Sequence, residues 1–129
     1  MSTALVFAGV FLAQAALPAA SASAVTDSAD VAYTELSQGR SDDAISRILA
    51  NDAYRANDPA ALINLGTAYA RMGRLSEARD CFDRAIASRE RYDLELANGQ
   101  WMDSRRAARA ARELLERKET LALATRNKS

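Results

Sequence analysis

The sequence predicts an all-α protein made of two antiparallel helical hairpins and a C-terminal capping helix, with a possible short β-hairpin near residues 92–102. Apolar residues recur every three or four positions on both sides of Gly73, which is the pattern of two amphipathic helices joined by a turn. A weaker copy of this pattern lies 34 residues upstream, around Gly39. A third stretch of helical spacing follows residue 103.

The clearest hairpin is predicted over residues 59–92. Asp58 and Pro59 favour a helix start, because aspartate can accept free amide hydrogens and proline costs nothing at the first helical position. Gly73 can adopt the left-handed conformation that ends a helix, and Gly66 allows a partner helix to approach closely. Two apolar stripes should face each other, consisting of Leu62, Leu65, Tyr69 and Met72 before the turn and Leu75, Ala78, Phe82, Ala85 and Ile86 after it.

The same stretch resembles a tetratricopeptide repeat. The family pattern W-x2-L-G-x2-Y, followed by A-x3-F and a further small residue, is matched by Leu62, Leu65, Gly66, Tyr69, Ala78, Phe82 and Ala85. Leu62 replaces the tryptophan of the pattern, and Glu90 replaces its late proline. The chain as a whole resembles small exported bacterial proteins of this family. The resemblance implies a helical hairpin that binds other proteins.

A degenerate hairpin of the same type is predicted over residues 25–58. Four residues, Gly39, Arg40, Ala44 and Ile48, match Gly73, Arg74, Ala78 and Phe82 at a constant offset of 34 residues, the length of one tetratricopeptide unit. Its first helix should span about 28–38 and turn inward Ala29, Ala32, Tyr33 and Leu36. Its second should start at Ser41 and bury Ala44, Ile45, Ile48 and Leu49. Because Ala32 and Glu35 replace the glycine and tyrosine of the family, an unrelated helical hairpin is the alternative.

Residues 93–103 are predicted to form an extended or hairpin linker. Apolar and acidic residues alternate from Tyr92 to Leu96, and Asn98-Gly99 is a strong hairpin signal. Leu94, Leu96 and Trp101 should lie against the helices, since an isolated hairpin is barely stable in water.

The capping helix is predicted within residues 104–123. Asp103 or Ser104 should cap its start, and it should run to about Glu119 before a frayed tail at 124–129. The residues expected to face inward are Ala108, Ala111, Leu114 and Leu115.

Residues 1–24 are predicted to be a secretory signal peptide cut after Ala24. They carry no charged side chain, the apolar run Ala4 to Leu17 is short for a membrane span, and Ala22-Ser23-Ala24 resembles a cleavage site. The mature chain would then be periplasmic or secreted, with no stable membrane span. A retained membrane anchor and an apolar core helix are the alternatives.

The composition argues against catalysis and nucleic-acid binding. There is no histidine, no phosphate-binding glycine loop and no nucleophile or metal-ligand motif, so we expect no catalytic residue, metal or cofactor. The 17 basic and 17 acidic residues balance, which gives no bias toward nucleic acid. Cys81, the only cysteine, is either a buried inert thiol or the source of a disulfide to another chain.

The resemblance implies an adaptor or scaffold of the cell envelope that binds a partner segment in a shallow groove. It does not carry the lysine and asparagine set with which some family members clamp a C-terminal carboxylate. The positions that match the groove lining are Ala29, Tyr33, Leu36, Ile63, Asn64, Thr67, Ala70 and Arg71. The alternatives are a self-assembling subunit that stacks through the region of Trp101 and a module that binds anions through Arg105, Arg109 and Arg112. A solvated arginine face, partly paired with Glu113 and Glu116, would explain the same three arginines without a ligand.

Overall fold

The computed structural model describes residues 12–13 and 32–128 of the chain. The expected cleavage site after Ala24 and the predicted groove residue Ala29 lie outside these residues. The fold is mainly α-helical, as the sequence predicts, with a small antiparallel sheet. Its helices are α1 (described over 32–37), α2 (Ser41–Leu49), α3 (Asp52–Arg55), α4 (Pro59–Arg71), α5 (Leu75–Ala87) and α6 (Ser104–Arg126), and its strands are β1 (Leu12–Ala13), β2 (Asp93–Leu96) and β3 (Trp101–Asp103).

The hairpin of α4 and α5 forms where the sequence predicts it. The Asp58 carboxylate accepts the Ala61 N–H at 2.9 Å, which caps the first turn of α4, and Pro59 is the first helical residue. Gly73 has a φ of +76°, the left-handed conformation expected at the turn. The apolar residues of both helices belong to one core, but Met72 is exposed because it lies at the end of α4 beside the turn.

The turn between α1 and α2 reproduces the turn between α4 and α5. Gly39 has a φ of +75°, and Arg40 donates its N–H to the carbonyl of Glu35 at 2.8 Å. In the later hairpin Arg74 makes the equivalent bond to the carbonyl of Tyr69 at 2.9 Å. The two hairpins therefore share a turn at the 34-residue offset, as the alignment of the two glycines predicts.

The two hairpins solve the same packing problem with different residue pairs. In the second, a Cβ added to Gly66 would lie 2.5 Å from a ring carbon of Phe82, so the bare glycine backbone makes room for the ring. In the first, the equivalent residues are Ala32 and Ile48, both buried. A smaller side chain on the second helix thus accompanies a larger one on the first, which explains how the degenerate hairpin tolerates Ala32.

Two features of the first hairpin differ from the prediction. Leu49 is exposed, because α2 ends at this residue and its inward face finishes with Ile48. The short helix α3 was not predicted, and the Asn51 side chain caps it by accepting the Ala53 N–H at 2.8 Å. Glu35 is buried at the position of Tyr69 and pairs with Arg47 at 2.6 Å, so an ion pair replaces the aromatic ring.

The β-hairpin is present, but its tryptophan faces the other way. Gly99 has a φ of +78° in the loop that joins β2 to β3. Leu94 and Leu96 are buried as predicted, whereas Trp101 is 50% exposed. Trp101 stands opposite Glu95, the residue between the two buried leucines, so it lies on the outer face of the sheet.

The third strand, β1, was not predicted. It pairs antiparallel with the free side of β2 and lies beside α4. β2 is therefore the central strand of the sheet, with β1 on one side and β3 on the other.

Helix α6 packs against α4 and α5 and extends further than predicted. The Asp103 carboxylate caps it by accepting the Arg106 N–H at 3.0 Å. Ala108, Ala111 and Leu115 are buried as predicted, but Leu114 is 41% exposed because it lies on the flank away from α5. The expected end near Glu119 and the frayed tail from Ala124 are wrong, since the helix continues to Arg126.

Tyr92 connects the sheet to both parts of the helical stack. Its hydroxyl donates to the Asp58 carboxylate at 2.6 Å, and its carbonyl accepts the Ser104 N–H at 2.9 Å. Burial, together with the negative charge of Asp58, raises the pKa of the Tyr92 phenol well above its ordinary value. Tyr92 therefore remains a hydrogen-bond donor and holds the start of α4 next to the start of α6.

We predict that Gly66→Ala destabilises the wild-type chain but not a chain carrying Phe82→Ile. The new methyl group overlaps the Phe82 ring, which should lower the free energy of unfolding by roughly 1–3 kcal/mol. In the chain that carries both substitutions the pair matches Ala32 and Ile48, and the higher helix propensity of alanine should then offset any remaining crowding. Urea unfolding of the wild-type chain, the two single variants and the double variant measures the coupling. An equal loss in both backgrounds would contradict this packing account.

Candidate protein-interaction groove

The predicted groove lies along α1 and α4, the first helices of the two hairpins. Arg71 joins them, because its guanidinium donates to the carbonyl of Leu36 at 2.6 Å. Leu36 is close to the C-terminal end of α1, where unpaired carbonyl groups favour a cation. Burial lowers the pKa of the Arg71 guanidinium. Arg71 therefore has a structural role within the groove in addition to any contact with a partner.

The structure divides the predicted groove residues into covered and accessible groups. Leu36, Ile63, Asn64 and Ala70 are buried. Tyr33, Thr67 and Arg71 are half-buried. The accessible part of the groove in this conformation is therefore small, and its one residue near the middle of α4 is Thr67, whose hydroxyl donates to the carbonyl of Ile63 at 2.9 Å.

Asn64 is a buried side chain whose hydrogen-bonding capacity is unused. Its residue is 1% exposed, yet neither its amide oxygen nor its amide nitrogen has a hydrogen-bond partner. An unpaired buried polar group typically costs about 1–3 kcal/mol. The side chain borders a cavity of about 10 Å³, lined by Ala32, Ile48, Asn51, Ala53, Asp58, Ala61 and Asn64. This orphaned carboxamide marks the covered part of the groove as the place where an additional polar partner would be favourable.

A family model for the tetratricopeptide repeat matches residues 59–92. The chain contains a tetratricopeptide repeat. The matched stretch covers α4, α5 and the residues up to Tyr92, so it includes five of the predicted groove residues: Ile63, Asn64, Thr67, Ala70 and Arg71. Comparison with curated proteins and with solved structures gave no match.

The three arginines of the predicted anion face have different environments. Arg105 donates to the carbonyl of Ser88 at 3.2 Å, which ties α6 to the end of the repeat. Arg112 pairs with Asp83 at 2.6 Å and with Glu116 at 2.8 Å. Arg109 is exposed. Two of the three arginines thus hold α6 in place or are neutralised by acids, and the pairing with Glu116 agrees with a solvated, paired face.

Sequence reasoning missed a polar cleft at the other end of the repeat. Arg84 crosses it and donates to the side-chain oxygen of Asn57 at 2.6 Å, while its guanidinium lies 4.8 Å from the centre of the Tyr54 ring. Asn57 has a φ of +57°, which asparagine tolerates better than most residues. The cleft has a volume of about 480 Å³ and is lined by Ala56, Asn57, Arg84, Ala87, Ser88, Arg89 and Glu90. The only sequence signal was the turn-forming run Asn57-Asp58-Pro59.

Within residues 32–128, no group of three or more cysteine and acidic side chains is placed to hold a metal ion. In the same part of the chain, no helix has both the length and the apolar character required to cross a bilayer.

Cys81 lies in the interior of the repeat. Its residue is 3% exposed, and burial raises the pKa of the thiol to about 12. The reactive thiolate is therefore scarce at neutral pH in the folded chain. Since the folded pKa is higher than the unfolded one, the stability from this neutral thiol is present at neutral pH and is lost as the pH rises above about 9.

We predict that the Cys81 thiol of the folded chain reacts with a disulfide reagent at pH 8 at least ten times more slowly than the same thiol in denaturant. Absorbance of the released thiolate measures both rates, and Cys81→Ser supplies the blank. Equal rates in the two conditions would show that Cys81 is accessible and would favour pairing with another chain.

Proposed function

We propose that the chain is an exported adaptor of the cell envelope and that it holds a segment of a partner protein against α1 and α4. The observation that carries the proposal is the tetratricopeptide repeat at residues 59–92, because such repeats generally mediate protein–protein interactions. The repeat family is typically not enzymatic, so we assign the chain a binding role and no reaction.

The accessible groove residues offer contacts suited to a peptide. Thr67 supplies a short polar side chain and Tyr33 an aromatic surface, and Arg71 places a positive charge beside them. Deeper in the same face, the free carboxamide of Asn64 can both donate to and accept from a peptide backbone. A partner that displaces whatever covers Asn64 would satisfy this group, which would favour the bound state.

Export is the second part of the proposal. It is supported by the uncharged first 24 residues, by their short apolar run and by the small residues Ala22-Ser23-Ala24. Removal of these residues would place the adaptor outside the cytoplasm, in the periplasm or the medium.

We predict that a photoreactive benzoyl-phenylalanine at Thr67 cross-links one partner protein in cells that express the chain. The matched control position is Asp80, which is exposed on α5. Asp83 is unsuitable, because it pairs with Arg112 between α5 and α6. The cross-linked product is detected as a shifted band and identified by mass spectrometry.

Competition distinguishes groove binding from chance contact. Excess unlabelled wild-type chain should suppress the cross-link from Thr67, whereas excess Thr67→Trp chain, whose groove is filled, should not. If Thr67 captures no more than Asp80, or if both competitors act equally, α1 and α4 do not form the partner site.

A further inference from the structure

The outer edge of β2 is the feature that the tetratricopeptide repeat does not explain. β2 pairs with β3 through the hairpin on one side and with β1 on the other. The register sets Leu12 opposite Leu96 and Ala13 opposite Glu95, in antiparallel orientation. Without β1, the N–H and C=O groups along this edge of β2 would lose their strand partners and could pair with another extended segment.

The edge is held in place by the rest of the fold. Leu94 and Leu96 are buried, and Tyr92 anchors the start of the strand to Asp58 and Ser104. The loop is closed by the Leu96 N–H, which donates to the carbonyl of Gln100 at 2.7 Å. β2 is therefore positioned by contacts that do not involve β1.

The strand that occupies this edge belongs to the predicted leader. Cleavage after Ala24 would remove Leu12 and Ala13 together with the rest of residues 1–24. The mature chain would then present β2 with an open edge beside α4, where β1 now lies. This step rests on the export part of the proposed function.

We propose that the outer edge of β2 is a docking site for an extended apolar segment of a partner protein, and that β1 occupies this site until the leader is removed. The residues of β1 show the chemistry that the edge accepts: leucine opposite Leu96 and a small uncharged residue opposite Glu95. An acidic residue at the latter position would be repelled by Glu95. Binding would then add a strand to the sheet, with hydrogen bonds to the peptide backbone supplying most of the affinity.

Charge disfavours a second copy of the chain as the occupant. β2 itself carries Asp93 and Glu95, so antiparallel pairing of two β2 strands would bring four acidic side chains together. The uncharged leader segment avoids this repulsion, and a partner segment of similar composition would do the same.

The probe for this site is a labelled synthetic peptide with the sequence of residues 8–17, AGVFLAQAAL, extended by two lysines for solubility. The receptor is the full chain carrying Leu12→Pro and Ala13→Pro, because proline lacks the N–H that a paired strand requires. Fluorescence anisotropy should show binding to this variant at least tenfold tighter than to the wild-type chain, whose own β1 competes. Amide exchange in residues 93–96 should slow when the peptide binds.

Two controls separate strand pairing from other modes of binding. A peptide that is N-methylated at the residues equivalent to Leu12 and Ala13 keeps the side chains but loses both N–H donors, so it should not bind. Circular dichroism shows whether the double-proline chain is folded. The milder Ala13→Asp chain, which displaces β1 by repulsion from Glu95, provides a second receptor.

Three results would overturn the proposal. A folded receptor that does not bind the peptide shows that the edge is not a docking site. Equal binding of the N-methylated peptide shows that strand pairing is not involved and leaves the Thr67 groove as the alternative site. A receptor that dimerises and thereby excludes the peptide identifies a second copy as the occupant. None of these results affects the cross-link from Thr67, so failure of this inference is distinguishable from failure of the adaptor function.

Discussion

The buried carboxylate of Asp58 is the contact that fixes the parts of this molecule relative to one another. One of its oxygens caps α4 through the Ala61 N–H, and the other accepts the hydroxyl of Tyr92 at 2.6 Å. Tyr92 in turn exchanges backbone and side-chain hydrogen bonds with Ser104, the first residue of α6. The repeat therefore ends where it begins, and the sheet starts from a point anchored to both helices. A buried carboxylate requires such partners, since an unpaired one would strongly oppose folding.

The sequence predicts those features that depend on local conformation and on periodicity. Gly39 and Gly73 mark equivalent turns because only a left-handed residue ends both helices, and the 34-residue offset follows from one repeat length. The orientation of Trp101 could not be predicted, because it depends on the register between β2 and β3, and a shift of one residue reverses every side chain. The exposure of Leu114 depends on where α6 packs against α5, which helical spacing alone does not determine.

The groove shows the same division between local and distant causes. The repeat pattern identifies the residues that share a face of α4, but the burial of Ile63 and Asn64 depends on packing between segments remote in sequence. The strand β1 is the clearest case, because two residues of an apolar leader carry no strand signal of their own and acquire one only beside β2. Arg71 was predicted as a contact residue, and its bond to the Leu36 carbonyl became visible only when α1 and α4 were brought together.

The N-terminal segment controls the state of the proposed binding surface, so the most direct test is the identity of the mature N-terminus. The chain should be expressed from its own start codon in a bacterial host, recovered from the periplasm or the medium, and analysed by intact mass and N-terminal sequencing. We predict a product that begins at Val25 and lacks Leu12 and Ala13. Recovery of a folded chain that retains Met1 to Ala24 would contradict the account, because β1 would then be a permanent strand of the sheet and the edge of β2 would stay closed.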